Sequence, residues 1–295
     1  MKPMKTMRKP SAPKNVPAKA QNAPPDFDLA IDLEEVSKII ESFVRQYVTE
    51  RGQNGVVIGM SGGLDSSVVA VLCVRALGRD KVLGLMLPES GSSAEDMKDA
   101  VLVCEKLGIK YECVDISEIV NVMAETLGDK PDVKALANVK ARARMIVLYY
   151  YANTMRRMVA GTSNKTELLV GYFTKYGDGG SDLLPIGDLY KAQVRQLSRY
   201  LGIPDNIIRK VPTAGLWRGQ TDEGEMGIKY DKLDKILRGF ELELPAKRIA
   251  EVACVPESEV KRIRKMHEST RHKRQAAPIP KIGLKTVGID WKENV

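Results

Sequence analysis

The sequence has few of the side chains on which the commonest hydrolases depend. It contains 295 residues but only two histidines and four cysteines. With His267 and His272 alone, a Ser-His-Asp triad has almost no candidates, and a zinc site would need an unusual mixed set of ligands. The cysteines have no C-x-x-C spacing and stand among Val, Leu or Tyr neighbours. The sequence therefore predicts four buried packing residues: Cys73, Cys104, Cys113 and Cys254.

Long apolar runs are also missing. The longest, at residues 56–60 and 145–152, fall far short of the about 20 residues that a transmembrane helix needs. The first residues are basic but lack the apolar stretch of a secretory signal, so we expect a cytoplasmic protein that does not enter the membrane. A hydrophobic fraction of 43% and a mean hydropathy of -0.23 fit a soluble globular protein whose core needs no disulfide or metal.

Acidic residues are absent from residues 1–25, which hold six lysines and arginines. This tail therefore carries six of the eight excess positive charges of the chain. Its Pro-, Ala- and Lys-rich composition cannot bury enough apolar surface to fold alone. We predict a disordered basic extension at 1–26, one folded domain at 27–275 and a tail at 276–295. The extension is either a solvated segment, which we favour, or a tether to nucleic acid or membrane.

Hydrophobic periodicity predicts alternating helices and strands from Leu33 onward. In chain order the predicted elements are an amphipathic helix from Leu33, a strand at 55–60, a helix that Gly78 closes, a strand at 81–88, a helix at 94–107, a strand at 111–116, a long helix at 133–157 and a strand at 158–161. This order predicts an α/β fold with a doubly wound parallel sheet and flanking helices.

The turn after the first predicted strand has the composition of a phosphate-binding loop. Residues 61–67 read SGGLDSS, and ligands of parallel sheets collect at the carboxyl ends of the strands. Two glycines permit close backbone approach, three hydroxyls can donate, and the next helix presents its N-terminal amides. Asp65 would repel phosphate unless a cation lay between them, which indicates Mg²⁺. The alternative is a tight turn with an Asp-Ser-Ser helix cap.

The loop lacks the lysine of G-x-x-x-x-G-K-[ST] and does not match G-x-G-x-x-G. It resembles instead the SGGxDSS signature of the ATP pyrophosphatase superfamily. Further polar segments lie at 138–145, 161–167, 171–182, 188–191, 211–214, 219–223 and 271–275. Together and in this order they resemble the ammonia-dependent NAD⁺ synthetase family, over about residues 33–281. The resemblance implies a fold of the adenine nucleotide alpha hydrolase type.

The resemblance also implies a set of site residues. The implied ATP-binding residues are Gly59, Met60, Ser61, Gly62, Gly63, Leu64, Asp65, Ser66, Thr162, Lys191 and Thr213, with Asp65, Lys191 and Thr213 as the catalytic ones. The implied Mg²⁺ ligands are Asp65 and Glu167, and the implied deamido-NAD⁺ contacts are Arg142, Lys175, Asp182, His272 and Lys273. Each deamido-NAD⁺ segment has a plainer alternative: a solvated helix face at 142–144, a flexible surface loop at 177–182, and a solvated tail at 271–274.

The implied reaction joins ammonia to deamido-NAD⁺ at the expense of ATP, through an NAD-adenylate, and needs no enzyme nucleophile. Only 60 residues precede the loop, which leaves no room for an ammonia-generating amidase domain, so we expect free ammonia as the donor. Another adenylating enzyme, such as a tRNA-modifying one, is the main alternative, but its expected RNA-binding appendage or C-x-x-C pairs are missing. A non-catalytic binding protein is a third possibility, and it would have no reason to keep the acids and lysines.

The family resemblance further implies a homodimer that binds deamido-NAD⁺ at the subunit interface. The long helix at 133–157 carries apolar residues on more than one face, which is more than a single core contact needs. They are Met145, Ile146, Leu148, Tyr149, Tyr150 and Met155. We expect this helix to pack against its symmetry mate; the alternative is burial within the monomer.

Overall fold

The computed structural model describes residues 27–128, 132–217 and 219–287. The predicted extension at 1–26 and the last part of the predicted tail lie outside these residues. The described residues form the strands β1 (Val56–Gly59), β2 (Val82–Met86), β3 (Lys110–Cys113) and β4 (Met158–Val159). Their α-helices are α1 (Leu33–Glu50), α2 (Leu64–Leu77), α3 (Ala94–Leu107), α4 (Ser117–Leu127), α5 (Val133–Met155), α6 (Lys165–Val170), α7 (Lys191–Tyr200), α8 (Asp205–Ile208), α9 (Asp222–Met226), α10 (Tyr230–Glu241), α11 (Ala246–Ala253) and α12 (Glu257–Ser269).

The four strands pair in the order β3-β2-β1-β4, and every pair is parallel. Val56 of the central strand β1 stands opposite Val82 on one side and Met158 on the other. Beyond β4, a parallel bridge between Ala160 and Leu183 extends the sheet edge. The prediction of a doubly wound parallel sheet is confirmed.

Helices cover both faces of the sheet. Val56 and Ile58 of β1 pack with α1, α2, α3 and α7, whereas Val57 between them packs with α4 and α5. This alternation follows from the two-residue period of a strand, and burial on both faces explains why β1 is apolar throughout. The apolar sequence of α2 has the same cause, since it lies between the sheet and other helices.

A second core is formed by α10, α11 and α12, which pack on one another and reach α6 and α7. Its buried residues include Leu233, Ile236, Leu237, Ile249 and Ile263. Because α10 contacts both α6 and α7, the second core packs against the two helices that carry Glu167 and Lys191.

Several predicted boundaries differ from the structure. The third strand ends at Cys113 rather than at residue 116, and α5 ends at Met155 because Arg156 turns to φ 53°. The prediction that all four cysteines are buried is wrong for two of them, since Cys113 and Cys254 are exposed. Cys113 lies on the edge strand β3, and Cys254 ends α11 with φ 51°. Within the described ranges, the helices are too short or too polar to cross a membrane.

Candidate active site

The loop between β1 and α2 directs the start of α2 toward a large cavity. Gly63 occupies the N-cap position of α2 and has no side chain to bond the N–H groups of the first turn. These N–H groups and the positive end of the helix dipole favour an anion. Ser61 and Ser66 line the cavity, with their hydroxyl oxygens 3.1 Å apart. The third hydroxyl predicted for this site, Ser67, is fully buried and donates to the Gly63 carbonyl at 2.8 Å.

Position 62 requires glycine because of a close backbone contact that the sequence did not predict. Its φ is +73°, and a Cβ here would lie 2.0 Å from the carbonyl oxygen of Asp96 in α3. The close approach is therefore to the protein backbone, and Gly62 does not line the cavity, unlike the other predicted loop residues at 59–61 and 63–66. Lys210 strengthens the same junction by donating to the Gly62 carbonyl at 3.3 Å and to Asp96 at 2.8 Å.

A lysine and two carboxylates meet beside this loop. The Lys191 ammonium donates to Asp65 and lies 3.5 Å from Oε1 of Glu167. Asn164 donates to the other oxygen of Asp65 at 3.1 Å and caps the helix that carries Glu167. The three charged residues stand in the first turns of α2, α6 and α7, so three helix N-termini bring them together. Lys191 is 3% exposed, whereas the carboxylates of Asp65 and Glu167 are 18% and 15% exposed.

A third carboxylate, Asp222, adjoins this cluster and was not among the predicted site residues. The Tyr230 hydroxyl donates to Oδ2 of Asp222 at 3.0 Å and lies 3.4 Å from Oε1 of Glu167. Among the described residues, Oδ1 of Asp222 is buried without a hydrogen-bond partner. Asp222 belongs to the polar segment 219–223. The family resemblance includes this segment but assigns no role to Asp222.

The cluster has more negative than positive charge. Burial raises the pKa of Glu167, and repulsion from Asp65 and Asp222 adds to this effect against the attraction of Lys191. Burial alone would lower the pKa of Lys191, but Asp65 and Glu167 raise it above its ordinary value, so the amine stays protonated. Three carboxylates facing one ammonium favour a further cation.

Two carboxylates beside a phosphate loop are a suitable donor set for Mg²⁺. This ion commonly binds through one or two carboxylates together with substrate phosphates and water. The unpartnered oxygen of Asp222 shows that the cluster has acceptor capacity left over. In the part of the chain that the structure describes, no group of three or more His, Cys, Asp or Glu side chains is arranged to hold a metal. The donor set therefore fits an ion that shares its coordination with a phosphorylated ligand.

The cavity beside the cluster has a volume of about 1120 Å³. It extends from the phosphate loop and the two predicted threonines, Thr162 and Thr213, to the segment at 170–180 and to Lys273. Ligand cavities for small molecules commonly measure about 300–1,000 Å³, so this one has room for more than one substrate.

Four of the five residues predicted to contact deamido-NAD⁺ lie close together. Lys175 donates to the His272 carbonyl at 2.8 Å, and Arg142 donates to the Lys175 carbonyl at 3.2 Å. Lys273 donates to the carbonyls of Gly171 and Phe173, both at 2.8 Å, and burial lowers its pKa. Residues 271–273 form a one-turn 3-10 helix in which Arg271 and His272 are exposed, whereas Lys273 and the following Arg274 donate to carbonyls at the end of α6.

The fifth residue, Asp182, has a different environment. Its carboxylate accepts the Val159 N–H at 2.7 Å and the Tyr149 hydroxyl at 3.1 Å. In this structure Asp182 therefore ties the segment after α6 to β4, and its contact with a substrate stays a prediction.

Two further basic residues of the 138–145 segment contribute to the cavity region. Arg144 lines the cavity and donates to the Leu87 carbonyl at 3.1 Å, while burial lowers its pKa. Lys140 donates to Glu89 and to the Leu216 carbonyl, both at 3.0 Å. Lys140 thus connects the loop after β2 to the loop that carries Thr213.

A parallel sheet with a glycine- and serine-rich anion loop, a lysine–carboxylate cluster and a roomy cavity at one edge defines an α/β protein that binds phosphorylated ligands. A family model described as NAD synthase matches residues 36–277. The chain belongs to the NAD synthase family.

Named relatives agree with this assignment. The chain is 49% identical over 253 residues to an NH(3)-dependent NAD(+) synthetase of Archaeoglobus fulgidus, which covers 85% of this chain and 98% of the relative. It is 46% identical over 254 residues to an NH(3)-dependent NAD(+) synthetase of Methanocaldococcus jannaschii, with coverage of 85% and 98%.

Solved structures agree as well. An NMN synthetase from Francisella tularensis matches with a TM-score of 0.77 at 36% identity, over 86% of this chain and 100% of the other. An NH3-dependent NAD synthetase from Campylobacter jejuni matches with a TM-score of 0.73 at 30% identity, over 85% of this chain and 100% of the other.

Proposed function

We propose that the protein makes NAD⁺ from deamido-NAD⁺, ATP and ammonia, and releases AMP and pyrophosphate. The observation that carries this proposal is the meeting of Lys191, Asp65 and Glu167 beside the phosphate loop, in a cavity that also reaches Lys273. One end of the cavity is suited to the phosphates of ATP, and the other offers cations to a second anionic substrate.

The reaction needs two substitutions in sequence. An oxygen of the nicotinate carboxylate attacks the α-phosphorus of ATP, and the bond to the bridging oxygen of the β-phosphate breaks to release pyrophosphate. The nitrogen of ammonia then attacks the carboxyl carbon of the adenylate, the bond to the AMP oxygen breaks, and the nitrogen loses a proton. Because ATP activates the carboxylate directly, alignment and charge stabilisation by the protein are sufficient.

Each group of the site has a role in these steps. The first-turn N–H groups of α2 and the hydroxyls of Ser61 and Ser66 hold the leaving pyrophosphate, and Lys191 stabilises its growing charge. Thr162 and Thr213, which line the cavity, contact ATP. Asp65 and Glu167 would hold Mg²⁺, which supplies charge neutralisation at the phosphates when bound.

The basic group of Arg142, Lys175, His272 and Lys273 binds deamido-NAD⁺ in this proposal, together with Asp182. An arginine offers a planar fork to a carboxylate or phosphate, and a lysine offers a compact charge. Lys273 already faces the cavity. In the structure the Lys175 ammonium donates to the His272 carbonyl, and bound substrate would replace this carbonyl as the acceptor.

The test is product analysis. Purified protein is mixed with ATP, Mg²⁺, ammonium and either deamido-NAD⁺ or nicotinate mononucleotide, and the nucleotides are separated by chromatography. We expect NAD⁺ and AMP in equal amounts from the dinucleotide. A preference for the mononucleotide would indicate an NMN synthetase, which is how the Francisella relative is described. AMP formation that requires RNA would support the tRNA-modifying alternative.

We also propose a homodimer, for which α4 and α5 supply an exposed apolar surface. Ile146 is 58% and Tyr150 68% exposed on α5, and Leu127 at the end of α4 is 71% exposed. Other apolar residues of α5, including Leu148 and Tyr149, pack into the core of the monomer. Sedimentation at micromolar concentration should give about twice 32.6 kDa, and the Ile146→Glu variant should dissociate. A fully active monomer would refute the interface.

Because the substrates include ATP and a nucleotide intermediate of NAD⁺ synthesis, we propose that the protein works in the cytoplasm. Fractionation of cells with an antibody against the protein tests this location, and recovery in the membrane pellet or outside the cell would contradict it.

A further inference from the structure

A fully buried carboxylate lies behind the lysine–carboxylate cluster and does not face the cavity. Asp234 is 0% exposed and stands on α10 between buried apolar residues of the second core, Leu233 and Ile236. Burial of a carboxylate is costly unless hydrogen bonds compensate for the lost water. Its place in an apolar core therefore requires an explanation.

Both oxygens of Asp234 accept hydrogen bonds from the elements that carry the cluster. The Thr166 hydroxyl donates to Oδ1 at 2.6 Å, and the Ala192 N–H donates to Oδ2 at 2.8 Å. The Lys191 N–H in turn donates to the Thr166 hydroxyl oxygen at 3.0 Å. One carboxylate thus joins the first turn of α6 to the first turn of α7.

The residues held in this way are neighbours of the charged groups of the site. Thr166 directly precedes Glu167 in α6, and Lys191 is the first residue of α7. The positive end of the α7 dipole favours the carboxylate at this position. A shift of either helix start would change the separation of the Lys191 ammonium from Glu167.

We propose that Asp234 is a positioning residue, which fixes the Lys191 ammonium and the Glu167 carboxylate relative to each other. The proposal rests on the proposed function, in which these two groups act on the phosphates of ATP. It gives the second core a role in catalysis, because α10 belongs to that core and reaches the site through Thr166 and Ala192.

Asparagine is the most informative replacement because it keeps the shape of the side chain but has one acceptor instead of two. In Asp234→Asn, the amide nitrogen faces either the Ala192 N–H, which is also a donor, or the Thr166 hydroxyl. In the first orientation the bond to Ala192 is lost. In the second, the amide nitrogen donates to the Thr166 oxygen and only the hydroxyl hydrogen stays unpaired, so the link between the starts of α6 and α7 is weakened in either orientation.

The experiment compares Asp234→Asn and Thr166→Val with Asp231→Asn, an exposed residue on the same helix. The dissociation constant of ATP with Mg²⁺ is measured by calorimetry, kcat and KM for ATP by NAD⁺ formation, and folding by circular dichroism. Misplacement by about 1 Å can cost about 100-fold in rate. We expect kcat to fall about 10- to 100-fold in both test variants and ATP binding to weaken, with Asp231→Asn unchanged.

Two further comparisons separate positioning from a purely structural role. Thr166→Ser keeps the hydroxyl and should recover most of the kcat that Thr166→Val loses. The double variant Asp234→Asn/Thr166→Val should lose less than the product of the two single losses, because both interrupt one network. Lower melting temperatures with unchanged kcat and ATP affinity would overturn the proposal.

The outcomes remain separable from those of the proposed function. If the wild-type protein makes no NAD⁺, the proposed function fails, and ATP affinity still decides whether Asp234 positions the cluster. If Asp234→Asn does not fold, Thr166→Val decides. A folded Thr166→Val variant with wild-type kcat and ATP affinity would overturn the proposal.

Discussion

Replacement of Lys191 by methionine tests the electrostatic account of the site most directly. Methionine has a similar length but no charge, and the wild-type ammonium faces Asp65, Glu167 and Asp222. Loss of one partner from a buried ion pair costs about 3–5 kcal/mol. Because Asp65 and Glu167 are 18% and 15% exposed, water can reach them, so we expect the lower end, about 3 kcal/mol at pH 8.

The cost should depend on pH with a defined sign. Without Lys191, burial and mutual repulsion raise the pKa of Glu167 further, and the hydrogen bond from the Asn164 N–H is left to oppose them. As the pH falls, a carboxylate whose pKa is raised in the folded state takes up its proton at a higher pH in the folded protein than in the unfolded chain. The pKa of Glu167 is already raised in the wild-type protein and higher still in the variant, so the variant should lose less stability at pH 6 than at pH 8, and the loss should level off below pH 6, where both folded proteins hold the Glu167 proton.

Urea unfolding of the ligand-free protein, followed by circular dichroism at both pH values, measures the effect. Lys38→Met is the matched control, because its ion pair with Glu34 is on the surface with the lysine 70% exposed, and solvent screens such pairs so that they contribute little to stability. The double variant Lys191→Met/Glu167→Gln removes one unpaired charge and should regain stability. A loss below about 1 kcal/mol, or an equal loss at both pH values, would refute the reasoning.

The sequence predicted the parts of the fold that local patterns determine. The apolar strand β1, the glycine turn and α2 follow from residues that are adjacent in the chain, and α3 agrees with the predicted 94–107. Its ends have local causes, since Ser93 accepts from the Asp96 N–H and Gly108 adopts φ 64°. The lengths of β3 and β4 depend on their position in the sheet, which periodicity does not report.

The site was less accessible to local reasoning. Lys191 and Asp65 are 126 positions apart in the sequence, and only the family resemblance predicted that they belong to one site. Gly62 was interpreted as a close approach to a ligand, whereas the structure places it against α3. The roles of Asp222 and Asp234 could not be predicted, because most acidic residues on helices are solvated and only the long-range partners of these two show that they are buried.

The remaining predictions concern single residues. Asp65→Asn should keep the fold but lower NAD⁺ formation by about 100-fold or more at saturating Mg²⁺, because lost charge stabilisation costs several kcal/mol; near-wild-type turnover would remove Asp65 from the mechanism. Partial burial raises the pKa of Glu241, but hydrogen bonds from a lysine, an arginine and a tyrosine hold it down to about 2. Its contribution, about 1 kcal/mol after screening by solvent, is present above the unfolded pKa of about 4.3 and lost as the pH falls toward 2. Glu241→Gln should therefore unfold less steeply with acid in a pH titration followed by circular dichroism, and an unchanged acid transition would contradict this. Gly62→Ala and Gly52→Ala both place a Cβ on a backbone with positive φ, but only the first meets an atom, the Asp96 carbonyl oxygen at 2.0 Å, whereas the second has nothing within 4 Å. Both should lose about 1 kcal/mol to the strained φ, and Gly62→Ala should lose more and bind ATP more weakly, because α3 and the phosphate loop must separate; equal losses in urea unfolding would show that the junction with α3 does not hold the loop.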